Sequence, residues 1–198
     1  MMSWSPFLKA RYHEPDAFGV IERKSQLPNM VKDHTFSTDL GCRGKKKGVW
    51  SYAPKLWKNS CIALDETQSV LGSRSLHLTQ TADSGRYFSV QQDLPELKPN
   101  TRYRISYYLK TKDIKVTEKT GGACVGLRDN GNHWLPGNRI RGTNNWHYLS
   151  FDYTTGDTVN TGKNRASIQC MMFGVKPGGE AWFDGVRVEE LGSSWSTR

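Results

Sequence analysis

The stretch Thr101-Arg-Tyr-Arg-Ile-Ser-Tyr-Tyr-Leu-Lys-Thr111 decides the fold. Tyr103, Ile105, Tyr107 and Leu109 alternate with Arg104, Ser106, Tyr108 and Lys110, the period-2 pattern of a strand with one buried face and one wet face. Leu97-Lys-Pro99-Asn100 introduces it, with Pro99 fixing the backbone of a turn. Outward from this strand, the same texture predicts others at Met30–Phe36, Ser60–Leu64, Ser75–Gln80, Tyr87–Leu94, Ala123–Arg128, Trp146–Tyr153, Arg165–Phe173 and Ala181–Glu189. Between them lie turn clusters at Asp83–Gly85, Asp129–Asn132, Gly142–Asn145 and Lys176–Gly179. No stretch carries a helical period. The pattern predicts an all-β fold, a two-sheet antiparallel jelly-roll β-sandwich of about nine strands.

Alternation also sorts faces. Phe88, Val90 and Leu94 oppose Tyr87, Ser89, Gln91 and Asp93; Ala123, Val125 and Leu127 oppose Cys124, Gly126 and Arg128; Ala166, Ile168, Cys170 and Met172 oppose Ser167, Gln169, Met171 and Phe173. If these strands share a sheet, its outer face offers Tyr87, Gln91, Arg128 and Gln169. The same sorting places Cys124 outside and Cys170 inside, against a disulfide between them. The pairing of the four cysteines, Cys42, Cys61, Cys124 and Cys170, is otherwise open, and no CxxC or Cys/His spacing suggests zinc.

The 198 residues carry a net charge of +9, with 11% aromatics and seven Trp, which favours anionic partners. The densest basic run, Arg43-Gly-Lys-Lys-Lys47, is too short to form a nucleic-acid stripe. No apolar run is long enough to span a bilayer. Residues 1–28 read as an extension or linker, 29–191 as the sandwich and 192–198 as a tail. The N-terminal stretch lacks the apolar centre of a secretory signal, leaving either a cytoplasmic protein or a piece of a larger or processed one.

The order of segments is similar to a known family. Asn29-Met-Val-Lys-Asp-His-Thr-Phe36, Gly48-Val-Trp50-Ser51, Gly72-Ser-Arg-Ser-Leu76-His-Leu78, Leu97–Lys110, Gly142-Thr-Asn-Asn-Trp146 and Glu180-Ala-Trp-Phe-Asp184-Gly-Val186 follow one another as in jelly-roll carbohydrate-binding modules of the family 4, 9 and 22 type. These are galactose-binding-domain-like sandwiches, and the likeness runs over residues 29–191. It implies a non-catalytic module that brings a glycan-degrading enzyme to polysaccharide, outside the cytoplasm and as a monomer. The resemblance also implies one structural calcium, with Asp184 at a matching position and Asp39 as a nearby substitute. Two departures bear on it: Ser37 stands where the family has Glu, and Gly185 where it has a second Asp. A plain turn or bulge role for Asp184 is the other reading.

The expected binding set is Tyr87, Gln91, Arg128 and Gln169, with Trp50, Lys55, Trp57 and Trp134 from loops. An aromatic ring covers the C–H face of a pyranose, while Arg and Gln hold hydroxyls. Trp57 and Trp134 are the preferred cleft walls, the alternative being plugs at the sandwich ends. Arg128, where the family often has an aromatic, suits a carboxylated or sulfated sugar. Trp146 and Trp182 read as strand packing. No nucleophile elbow, zinc-protease or phosphate-loop motif occurs, and Glu118, Glu180 and Asp152 show no paired geometry. The competing functions are a protein-interaction sandwich without a sugar site, a lyase using Tyr87, Arg128 and His133, and nucleic-acid binding.

Overall fold

The computed structural model describes residues 25–42, 46–52, 60–81, 87–130, 133–157 and 165–193. Eleven strands are present: β1 (Gly41–Cys42), β2 (Ser51–Tyr52), β3 (Ser60–Asp65), β4 (Ser75–Gln80), β5 (Tyr87–Asp93), β6 (Thr101–Ile114), β7 (Gly122–Arg128), β8 (Trp134–Pro136), β9 (Gly142–Thr154), β10 (Ser167–Phe173) and β11 (Glu180–Ser193). They form two sheets. Sheet I has the order β1-β2-β5-β10-β7-β8 and sheet II the order β3-β4-β11-β6-β9. All pairings are antiparallel except β1 with β2. The fold is a jelly-roll β-sandwich. Among the described residues no helix is long and apolar enough to cross a membrane.

The core lies between the sheets, where the alternation places it. Phe88, Val90, Ala123, Val125, Leu127, Ile168, Cys170 and Met172 of sheet I meet Leu76, Leu78, Tyr103, Ile105, Tyr107, Leu109, Leu149, Phe151 and Phe183 of sheet II. Each such side chain contributes roughly 1.5–3 kcal/mol by leaving water. On β11 the register shifts twice, and the first shift breaks the alternation beside the core. Asp184 pairs with Tyr108 and Arg187 with Ser106, so Gly185 and Val186 share one opposing residue in a bulge. Gly185 has φ +58, and a Cβ there would come within 2.9 Å of Leu71 and Tyr108. The bulge lets Phe183, Val186 and Val188 all reach the core.

Three local expectations are corrected. Met30–Phe36 is not a strand: Asp33 (φ 49) and Phe36 (φ 54) turn the chain, and the Asp33 carboxylate accepts from the Ser37 and Thr38 amides at 2.6 and 2.9 Å. A side chain that takes local N–H groups competes with a sheet ladder. Gly142–Asn145 is the start of β9, because β6 continues to Ile114 and pairs Thr111 with Asn144 and Ile114 with Gly142. Lastly, the second face of β6 is only partly wet. Ser106 and Tyr108 are buried, since Val70 and Leu71 lie over that side of sheet II and donate to Asp184. β11 runs to Ser193.

Candidate functional site

The outer face of sheet I is built by register. The rung Asp93–Ser167–Arg128–Trp134 crosses β5, β10, β7 and β8 at one end. The next outward-facing rung is Gln91–Gln169–Gly126–Pro136, with Ser51 of β2 beside Gln91. Ser89–Met171–Cys124 follows, and Tyr87–Phe173–Gly122 closes the other end. Ser89, Ser167, Gln169, Met171 and Cys124 form a buried floor, ringed by half-buried Tyr87, Gln91, Arg128, Trp134 and Phe173. The end rungs lie six residues apart along β10, about 20 Å at strand rise.

Trp134 is fixed on this face by two features. A Cβ at Gly126 would fall 2.1 Å from its Cη2 and 2.5 Å from its Cζ2, so the indole lies over the bare glycine backbone. The loop before it is braced by Asp129, whose carboxylate accepts from the His133 amide (2.8 Å) and the Tyr153 hydroxyl (2.7 Å) and contacts His133 Nδ1 at 3.0 Å. Burial opposes ionisation of Asp129, but these partners hold its pKa below the usual aspartate value. Burial and the neighbouring Asp129 push Tyr153 upward, so it stays a donor.

Arg128 stands next to Trp134 in the same rung, and its Nε is buried with no hydrogen-bond partner among the described residues. The floor is a polar chain. Tyr87 Oη donates to Gln169 Oε1 at 2.6 Å and lies 3.2 Å from Ser89 Oγ, while Gln169 Nε2 reaches Ser167 Oγ at 3.4 Å. At the far end Tyr87 and Phe173 meet edge to face at 6.5 Å, and the Arg139 guanidinium sits 5.4 Å from the Phe173 ring centre. Arg139 also contacts the Cys124 thiol, which burial pushes up to about 12. Cys124 and Cys170 face opposite sides of the sheet, and both are free thiols, as is Cys42.

The expected residues separate into three groups. Tyr87, Gln91, Arg128, Gln169 and Trp134 are brought onto one face, although Gln169 is 2% exposed and belongs to the floor. Trp50 is not on it. It is 1% exposed, its ring packs 4.9 Å from that of Phe36, and its Nε1 donates to the Asp33 carbonyl at 2.9 Å. The indole belongs to the hydrophobic core. Lys55 and Trp57 lie outside the described residues. Trp182, read as packing, is 7% exposed, stacks on His77 at 4.4 Å and donates to Asp65 at 2.8 Å on the other sheet.

The residues at Asp184 do not fit a calcium. Oδ2 accepts the Val70 and Leu71 amides at 2.7 Å and Oδ1 accepts the Gly185 amide at 2.7 Å, so N–H groups occupy the places of a cation. Burial pushes its pKa up to about 6 despite those bonds. Asp39 is exposed and faces Lys46 (3.1 Å) and Arg74 (3.8 Å). Among the described residues no group of three or more His, Cys, Asp or Glu is arranged to hold a metal. Nor do Tyr87, Arg128 and His133 converge as a lyase needs, for His133 turns onto Asp129 and Tyr87 donates to Gln169.

Sequence reasoning missed Arg139, Phe173 and the ring-to-glycine contact. Arg139 follows β8 in a segment without periodicity and bends back over the sheet. Phe173 had been sorted to the correct face but given no role.

The tRNA(Glu)-specific nuclease WapA of Bacillus subtilis subsp. natto (strain BEST195) is 28% identical over 183 residues, 87% of this chain, which spans only 7% of that protein's length. The CBM22-1 xylan-binding domain of Paenibacillus barcinonensis Xyn10C superposes with a TM-score of 0.51 at 14% identity, covering 81% of this chain and 94% of the domain. TmCBM61, solved with β-1,4-galactotriose, gives a TM-score of 0.50 at 16% identity, covering 82% of this chain and 99% of its own. The carbohydrate binding domain family of the 4/9 type matches residues 29–167, from the Asp33 turn to the first residue of β10. With the family's pattern matched over most of its length, this chain belongs to the carbohydrate binding domain family.

Proposed function

We propose that the outer face of sheet I is where this carbohydrate-binding domain holds its saccharide, that it favours glycans bearing acidic groups, and that it brings an attached or partner glycan-degrading enzyme to polysaccharide. The observation that carries this is the pairing of Trp134 and Arg128 on one rung: an indole set over bare backbone beside a guanidinium whose Nε has no partner among the described residues. The ring supplies an apolar platform for a pyranose face. The guanidinium supplies directed donors for a carboxylate or sulfate. Gln91 and Tyr87 are placed to meet hydroxyls further along the face. On this reading the domain acts outside the cytoplasm, where such polysaccharides lie, and as a monomer.

Affinity electrophoresis of the chain against neutral xylan, galactan and polygalacturonate, with Trp134→Ala and Arg128→Ala alongside, tests this. Trp134→Ala should weaken every glycan bound and Arg128→Ala the acidic one; unchanged mobility of both variants on a glycan that retards the wild type would overturn the site. A second reading, in which the domain serves an activity other than glycan degradation, is supported by the nuclease carrying the 28% identical stretch.

A further inference from the structure

Around sheet II, several arginines and lysines are neutralised by carboxylates. Arg102 and Arg104 share Asp152, Lys112 pairs with Glu180, Lys98 with Glu190 and Arg187 with Glu189. One end of the molecule is different. The bridge between Val116 and Val175, the Lys176 amide bond to the Lys115 carbonyl (2.7 Å) and the Thr117 amide bond to the Gly174 carbonyl (2.8 Å) bring residues 113–121 against 174–179. Arg141 Nε donates to the Gly121 carbonyl at 3.0 Å and its Nη2 to that of Lys119, while Arg139 donates to the Thr120 carbonyl. These three segments thus gather Lys115, Lys119, Arg139, Arg141 and Lys176 against two carboxylates, Asp113 and Glu118.

Among the described residues, none of these five cations makes an ion pair with a carboxylate. Both arginines are held by neutral carbonyl oxygens, which fixes their direction and leaves their charge in place. Arg139 is the junction with the saccharide face. It lies over Phe173 in the last rung, and its Nε, like that of Arg128, is buried with no hydrogen-bond partner among the described residues. Unneutralised charge thus stands at Arg128 at the first rung, at Arg139 at the last, and at four exposed cations beyond.

We infer that this basic end is a second, electrostatic contact for the same glycan, and that the ligand is a polyanionic polysaccharide chain that continues past Phe173 onto Lys119, Arg141, Lys115 and Lys176. The inference rests on the outer face of sheet I being the saccharide surface. A neutral glycan gains nothing from the extension, whereas a chain with repeated carboxylates gains with each unit that crosses it.

The test titrates the 198-residue chain with polygalacturonate and with trigalacturonate, beside the variant Lys115→Gln/Lys119→Gln/Lys176→Gln. All three side chains are exposed, so folding is preserved, and circular dichroism checks it. At about 50 mM salt the variant should bind the polymer on the order of tenfold more weakly, with a flatter salt dependence, and bind the trimer as the wild type does. Equal polymer affinity in variant and wild type overturns the inference, as does an equal loss on trimer and polymer. Binding of neutral xylan through Trp134 with no binding of polygalacturonate also overturns it, and leaves the saccharide face standing. Retention of duplex RNA by the cluster, with no polygalacturonate bound, overturns it in favour of nucleic acid. If Trp134→Ala and Arg128→Ala change no glycan affinity, the saccharide face itself falls.

Discussion

The Trp134 indole occupies the space that a side chain at Gly126 would fill: Cη2 lies 2.1 Å from where a Cβ would stand. Glycine is needed there for the approach of a ring, since its backbone does not have a positive φ. Gly126→Ala should therefore push the indole off the sheet without disturbing the core face of β7. Glycan affinity should fall about tenfold, or about 1.4 kcal/mol, read by calorimetric titration on a glycan that the wild type binds. Wild-type affinity in Gly126→Ala would show that the ring position is immaterial.

Arg128 should divide ligands by charge. Arg128→Met keeps much of the apolar stem and removes the guanidinium, so a uronate oligosaccharide should bind about tenfold more weakly, as for loss of a charge-assisted hydrogen bond. A neutral oligosaccharide should change by less than about twofold. Parallel titrations with the two ligands make the comparison.

The brace at Asp129 predicts a loss that combines stability and binding. Tyr153→Phe removes one donor to a buried carboxylate and should cost about 1–3 kcal/mol in chemical denaturation. The folded pKa of Asp129 is depressed, so its contribution is present above the unfolded value of 3.8 and disappears as pH falls through the lower folded value. In Tyr153→Phe that acid transition should move to higher pH. An unchanged acid midpoint would remove Asp129 from the account.

Asp184 predicts the opposite sign. Its folded pKa, near 6, is above the ordinary 3.8, so the folded state binds the proton more tightly than the unfolded state does. The wild type should therefore lose stability at this group as pH rises from about 4 to 6. Asp184→Asn cannot titrate, and its melting temperature should lack that component between pH 4 and 7. Millimolar calcium should leave the wild-type melting temperature unchanged; a rise that Asp184→Asn abolishes would reinstate the metal.

The sheet I strands could be read from the sequence because β5, β7 and β10 each keep strict alternation, with one face buried in the core. Tyr87, Gln91, Arg128 and Gln169 reached the right face for that reason. Trp50 was misplaced because an aromatic in a loop has no periodicity to say which way it points; packing against Phe36 decided it. Met30–Phe36 failed for a similar reason. Its Val31 and Phe36 are buried, but Asp33 takes the local amides, and no alternation rule registers that competition. The short strands β1, β2 and β8 hold two or three residues each, too few for a period to show. Arg139 was invisible because its role depends on a chain reversal after β8.

The bulge at Gly185 has a consequence for how this protein can change over time. Phe183 and Val188 stand five positions apart yet both face the core, because the bulge sets one extra residue aside. A substitution that flattened the bulge without removing a residue would turn Val186 and Val188 toward solvent, so the left-handed glycine at 185 is the one residue this stretch of β11 cannot give up.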